Sequence, residues 1–484
     1  MINQTKKPLF DALVKYGLND EKLSFDVPGH KRGKGISNEF KNLVGEEIFK
    51  IDINSLKPLD MLSHPTGVIK EAEDLYAKLY NCDRAYFLVN GSTSGIQNMI
   101  LSAVKPNEKI IIPRNIHKSA INALVFSGAI PIYINPTIDL ETGISEGLKT
   151  SDIIDTINQN KDVKAILLLN PTYFGHTQNL KEVIEYCHNL DIKVIVDESH
   201  GAHFPYSERF PDSAMKYGAD MATTSVHKTA GALTQASVLL HNEKRISHST
   251  VRSVINLAQT SSASYLLLSS LDIARYHFYK HKDDITNNII NLTNYLRCEI
   301  DKLPNISYVN PALNNDSVTN YDPSKLVLNT KKLGITGFEL YDLLRDNYNI
   351  QVELGETNVV LIIISIGDDL DNINKLLDAL KDISSKYSTT KKFKIHIPTF
   401  IPKMVYTPRE AFFMEKEIVD LLDSENKIAG KSIMIYPPGI PLVNPGELIS
   451  KEVIDYYLFL NKQGNVTLGS DEVKSSILVS VIKE

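Results

Sequence analysis

The chain has 484 residues, 43% of them hydrophobic, which is enough to bury the cores of two or three domains. A net charge of −6 argues against a general polyanion binder and leaves room for a cationic substrate. Only three cysteines occur, Cys82, Cys187 and Cys298, and their spacing suggests neither a zinc site nor a disulfide framework.

The N-terminal Met1–Pro8 stretch lacks the apolar core of a signal peptide, and no apolar run reaches membrane-spanning length. A cytoplasmic protein bound to neither membrane nor nucleic acid is therefore expected. No internal repeat is visible. Leu9, Leu13 and Tyr16 give residues 8–17 an amphipathic pattern, followed by the loop Pro28-Gly-His-Lys-Arg-Gly-Lys-Gly35. Ile69, Ala72, Leu75, Tyr76 and Leu79 predict a helix between Thr66 and Asn81, with Thr66 as its N-cap.

From there strands and helices alternate. The strand Tyr86–Val89 leads to the turn Asn90-Gly-Ser-Thr-Ser-Gly95 and a helix from Ile96. Strands are predicted at Lys109–Ile112, Pro131–Ile134, Ala165–Leu169 and Val194–Val196. The helices between them start at His117 and lie near 149–160 and 180–190. Nearly continuous apolar strands are covered on both faces, so a doubly wound α/β domain with a parallel sheet is expected. A strand Ala236–Leu240 and a long helix over 265–302 follow. Pro304, Pro311 and Pro323 then mark the entry to a smaller α+β unit with strand Lys325–Asn329, helix Gly337–Tyr348 and strand Val359–Ser365. Pro398 and Pro402 open a last segment. The expected domains are an N-terminal arm (1–60), a large domain (61–303), a small α+β domain (304–395) and a C-terminal domain (396–484).

Three stretches carry chemistry. Small and hydroxyl residues at a helix start, here Ser92, Thr93 and Ser94, can surround a phosphate dianion with N–H groups and hydroxyls, although a plain capped turn has the same pattern. Asp197, at the end of Val194-Ile-Val-Asp-Glu-Ser-His200, lies where open α/β sheets bind ligands, and beside a pyridine nitrogen it would hold a proton there. Lys228, in Thr223-Thr-Ser-Val-His-Lys-Thr229, is a candidate for a Schiff base with an aldehyde, with Ser225 and His227 beside it. Together they describe a pyridoxal phosphate (PLP) site, which no one of them does alone.

These stretches, with Phe25-Asp-Val-Pro-Gly-His-Lys31, Leu62-Ser-His-Pro-Thr-Gly67, Asn170-Pro-Thr-Tyr-Phe-Gly175, Ser264-Tyr-Leu-Leu-Leu268 and Tyr436-Pro-Pro-Gly-Ile-Pro441, resemble the Orn/Lys/Arg decarboxylase family of fold type I PLP enzymes. The likeness is greatest to its short bacterial arginine decarboxylases. It implies an aspartate aminotransferase-like large domain with smaller α+β C-terminal domains. It further implies that His117 stacks on the cofactor ring, that His200 lies near the ring hydroxyl, and that Thr260 and Ser261 reach the phosphate of a neighbouring subunit. A homodimer with shared active sites follows, and the N-terminal arm would lie near the partner's site. Glu447, in a segment that approaches the substrate entrance in the family, becomes the candidate acid for the distal cation. The implied reaction is decarboxylation of a basic L-amino acid, first of all L-arginine to agmatine in polyamine synthesis, with lysine or ornithine as alternatives. No metal is implied. Either Lys228 or His227 could protonate Cα. Another PLP reaction (an aminotransferase or aldolase) or a non-catalytic PLP-fold binding protein are the competing classes.

Overall fold

The structure is a computed structural model that describes residues 3–19, 23–310, 313, 315–389, 400–436, 440–462, 466–468, 470–473 and 476–483. The turns assigned to Pro311, Pro398 and Pro437-Pro-Gly439, and the boundary at 395/396, lie outside them. The chain forms two compact units, Met1–Ser102 with Ile195–Thr286 and Ala103–Val194 with Asn287–Glu484.

In the first unit, Ile195–Asp197 pairs in parallel with Met221–Thr223. The strand Ser237–His241 runs antiparallel both to Met221–Thr224 and to Arg84–Leu88. The sheet is therefore not wholly parallel, as the sequence pattern suggested. The twelve-residue connection from Thr224 to Ser237 contains only the four-residue helix Val226–Thr229, not the full helix a parallel crossover normally uses, and the chain turns back antiparallel. All residues of Met221–Thr224 and Ser237–His241 are buried.

The helix Val68–Tyr80 buries Ile69, Ala72, Leu75 and Tyr76 as its period requires. Its cap is not Thr66. Asp60, with a left-handed φ of 70°, accepts the N–H groups of Thr66 (3.0 Å), Gly67 (2.7 Å) and Ile69 (3.1 Å) from outside the helix. Burial alone pushes the Asp60 carboxyl up, but these and other N–H bonds outweigh it and hold the group below the ordinary carboxylate range.

The N-terminal helix Pro8–Val14 buries Leu9 and Leu13. It is capped by another remote carboxylate: Asp272 accepts the N–H of Leu9 at 2.9 Å and of Phe10 at 3.2 Å. Arg275, fully buried, pairs with Asp272 at 3.0 Å and donates to the carbonyls of Gln4 and Lys6. The single long helix expected over 265–302 is two, Tyr265–Lys280 and Lys282–Ile300, parted at His281. Asp283 and Asp284 suit the start of a second helix, where the dipole favours negative charge.

The second unit carries the parallel strands Ile130–Ile134, Lys109–Pro113 and Val163–Leu169, with Lys109–Pro113 paired to both others. Helices Lys118–Ser127, Thr150–Gln159 and Leu180–Asn189 follow these strands in alternation. An antiparallel sheet centred on Lys325–Asn329 and Val359–Ile363 follows, close to the predicted limits. Its helix Gly337–Tyr348 begins with a capping box between Thr336 and Glu339. The C-terminal segment pairs Lys416–Asp420 with Ser476–Ile482 over a core that includes Val443, Ile449, Val453 and Tyr457.

Candidate active site

Three segments of the first unit converge. The helix after the strand Arg84–Leu88 starts at Gly91, five residues earlier than the sequence suggested, so Ser92, Thr93 and Ser94 belong to its first turn. First-turn N–H groups have no partner inside a helix and are the ones an anion can use. Gly91 N–H donates to Gln235 O at 2.9 Å, tying this turn to the loop after Lys228. Ser92 and Ser94 are buried, and Ser94 Oγ donates to Gly91 O at 2.8 Å.

Ser225 Oγ donates to Ser92 Oγ at 2.8 Å, joining the turn to the segment that carries Lys228. Thr223 Oγ1 lies 3.5 Å from the same hydroxyl. Gly95 packs directly on Thr223: any Cβ there would overlap the Thr223 hydroxyl and lie 2.7 Å from its Cβ. Sequence reading missed this role of Thr223. The signal was Gly95, a poor helix former at the fifth position of the helix, whose missing Cβ leaves room for Thr223.

Asp197 is buried at its strand end, and its Oδ1 accepts Ser199 N–H at 3.0 Å and the Ser199 hydroxyl. The adjacent Glu198 points elsewhere. Fully buried, it accepts Ala214 N–H at 2.6 Å and Ser213 Oγ–H at 2.7 Å and anchors the following loop. His203 is buried edge-on between Phe204 and Phe210.

Lys228 lies in the short helix Val226–Thr229, and its Nζ is 3.0 Å from His200 Nε2. His227 Nδ1 is 3.2 Å from Ala236 O; a carbonyl only accepts, so Nδ1 carries the hydrogen. Burial holds the His227 pKa below the ordinary histidine value, the neighbouring Lys228 lowers it further, and the Ala236 bond only partly opposes this. Thr260 and Ser261 lie exposed on the loop between helices His248–Ala258 and Tyr265–Lys280, where Thr260 Oγ1 contacts Ser262.

The second unit holds the other two site candidates. His117 is exposed and caps the helix Lys118–Ser127, its Nδ1 accepting Ser119 N–H at 3.2 Å. Glu447 is buried, with both carboxylate oxygens engaged by Arg114 and one also accepting Asn444 N–H at 2.7 Å. The charge of Glu447, the candidate acid for the distal cation of the substrate, is thus paired with Arg114 inside the chain. Arg114 was not singled out from sequence, because a strand-end arginine has no local signature of its partner more than 300 residues away.

A primary amine, a strand-end carboxylate and a hydroxyl-rich helix start fit PLP. The buried hydroxyl of Thr229, at the end of the Lys228 helix, has no hydrogen-bond partner among the described residues. Among these residues no cluster of histidine, cysteine or carboxylate side chains is arranged to hold a metal ion, and no helix is long and apolar enough to cross a membrane.

Residues 7–372 match the family model for the Orn/Lys/Arg decarboxylase major domain, and residues 389–470 match that family's C-terminal domain. An arginine decarboxylase of Halalkalibacterium halodurans is 40% identical over 489 residues, covering 100% of this chain and 99% of the relative. One from Bacillus subtilis is 38% identical over 488 residues, again covering 100% and 99%. The crystal structure of a Francisella novicida lysine decarboxylase superposes with a TM-score of 0.86 at 22% identity, covering 99% of this chain and 81% of that one. The fold is that of the fold type I PLP enzymes.

Proposed function

The chain belongs to the Orn/Lys/Arg decarboxylase family of PLP-dependent enzymes, and from that membership we propose L-arginine as its substrate, with agmatine and carbon dioxide as products. The observation that carries the substrate is the end-to-end likeness to two arginine decarboxylases. Agmatine places the reaction in polyamine synthesis.

PLP, when bound, supplies an aldehyde that captures amines and a ring that accepts the electron pair of a broken Cα–carboxylate bond. Lys228 presents the amine that holds it, beside the His200 imidazole. Asp197, fixed by Ser199, keeps a proton on the ring nitrogen, because an adjacent anion favours the cationic form. Ser92, Ser94, Ser225 and the first-turn N–H groups, with Thr93 beside them, bind the phosphate. His117 supplies a flat imidazole against the ring.

Cα must then be protonated. His227 spends Nδ1–H on Ala236 O, and burial lowers its pKa, which disfavours the charged, donating form, so we assign the proton donation to Lys228. We assign the exposed Thr260 and Ser261 to the phosphate of a second subunit in a cytoplasmic homodimer, and the N-terminal arm (1–60) to the approach to that subunit's site. The other expected domains, 61–303, 304–395 and 396–484, are proposed as the PLP-binding, small and C-terminal domains.

Carbon dioxide release by the PLP-loaded protein from L-arginine, L-lysine and L-ornithine, with each amine identified, tests the substrate. Agmatine from arginine alone is expected. Release from lysine or ornithine instead of arginine would reassign the substrate and leave the site in place.

A further inference from the structure

We propose that the buried Arg114–Glu447 pair is a positioning device for His117, through which the C-terminal segment sets the orientation of the imidazole. This rests on the reading of His117 as the ring-stacking residue.

Arg114 is the first residue after the strand Lys109–Pro113, and its N–H still bonds to the neighbouring strand at Ile134 O, at 2.8 Å. Three residues on, past the fully buried Ile116, His117 caps its helix. The Arg114 guanidinium grips both oxygens of Glu447, donates to Leu442 O at 2.9 Å and lies 4.9 Å over the Tyr133 ring. Its environment is thus filled on every donor edge that the bidentate geometry uses.

Glu447 is equally fixed. Its side chain accepts Asn444 N–H, its carbonyl accepts Ala429 N–H at 2.8 Å, and its backbone bridges to Met404. The far end of the His117 helix is also held by the C-terminal segment. It terminates at Gly128 with a left-handed φ of 69°, and the place of a Cβ there is taken by Arg409, whose Nη1 lies 2.7 Å away. The helix Pro408–Phe413 packs against Lys118–Ser127. The C-terminal segment therefore holds the chain three residues ahead of the His117 cap, through Glu447 on Arg114, and the far end of the helix, through Arg409 at Gly128.

A buried ion pair is a weak source of net stability, because desolvation offsets its attraction, but a bidentate pair is strongly directional. A stacking imidazole needs that directionality: a small tilt at the ring is costly to rate, while binding of the amino acid elsewhere is untouched.

The test is Glu447→Gln, made as the PLP-loaded enzyme and compared with wild type and His117→Ala. The readouts are the visible circular dichroism of the bound cofactor, its dissociation rate, kcat and KM. Glu447→Gln is expected to weaken the cofactor's dichroic band, speed dissociation about tenfold, as loss of an orienting partner does elsewhere, and lower kcat with KM unchanged. His117→Ala is expected to change the dichroism and dissociation in the same direction. If Glu447→Gln does not accumulate folded, Glu447→Asp, which keeps the charge and shortens the reach, carries the same expectation. A lower melting temperature with wild-type dichroism, dissociation and kcat would make the pair merely structural and overturn the proposal. A raised KM with unchanged kcat would overturn it by placing Glu447 on the substrate. A His117→Ala protein with unaltered dichroism and dissociation would remove the stacking role itself, and the proposal with it.

Discussion

Lys228 Nζ and His200 Nε2 stand 3.0 Å apart, and the chemistry proposed here turns on that amine. Lys228→Ala is expected to fold and to lose turnover by at least about a thousandfold, measured as carbon dioxide release. Asp197→Ala should lower both rate and cofactor retention, the rate by about a hundredfold, since it removes the anion that keeps the ring nitrogen protonated. A different residue, Glu73, contributes to the pH dependence of stability. Glu73 is buried; desolvation pushes its carboxyl up to about 7 against the pull of Arg252 at 3.5 Å and the Phe87 N–H at 2.9 Å. Its folded pKa lies above its unfolded value, so the native state binds the extra proton. The resulting stability is fully present below about pH 4.5 and is lost as pH rises through about 7. Chemical denaturation of Glu73→Gln against wild type between these limits should show the mutant curve flatter, by on the order of 3 kcal/mol. Identical slopes would refute the assignment.

At the scale of elements, what the sequence made legible was what local periodicity controls. The helix Gly337–Tyr348 and the strand Lys325–Asn329 fall where the pattern puts them. Hidden from it were partners that lie outside the elements they cap. Asp60 and Asp272 cap helices whose own flanking residues offered ordinary caps or none, and only folding brings those carboxylates to the helix starts. The antiparallel turn of Ser237–His241 likewise goes with a connection that carries no full crossover helix, which strand composition does not encode. In the site, the chemistry-bearing residue types of Lys228, Asp197 and Ser92 could be read directly, whereas Thr223 and Arg114 act through contacts that no spacing encodes. Two variants probe these contacts. Arg275→Ala removes the guanidinium that binds Asp272 and the Gln4 and Lys6 carbonyls, leaving a buried carboxylate unpaired. It should cost about 3–5 kcal/mol and expose residues 3–14 to hydrogen exchange ahead of global unfolding. Gly95→Ala drives a methyl into Thr223 and should cost about 1–3 kcal/mol together with weaker cofactor retention. Wild-type melting in either variant would contradict the packing described.

For the whole molecule, the family places a PLP decarboxylase along the full chain, and the shared-site reading makes the subunit pair the working form. Mixing an inactive Lys228→Ala protein with an inactive Thr260→Ala/Ser261→Ala protein should restore part of the activity, because one mixed site then carries both intact halves. No recovery in confirmed mixed dimers would count against cross-subunit construction. The central claim, that the site is organised around Lys228, is tested most directly by reducing the PLP-loaded protein with borohydride and mapping the modified peptide by mass spectrometry. The stable pyridoxyl mark is expected on Lys228, in stoichiometric yield and lost in Lys228→Ala. A mark on another lysine, or none on a cofactor-loaded protein, would contradict the site described here.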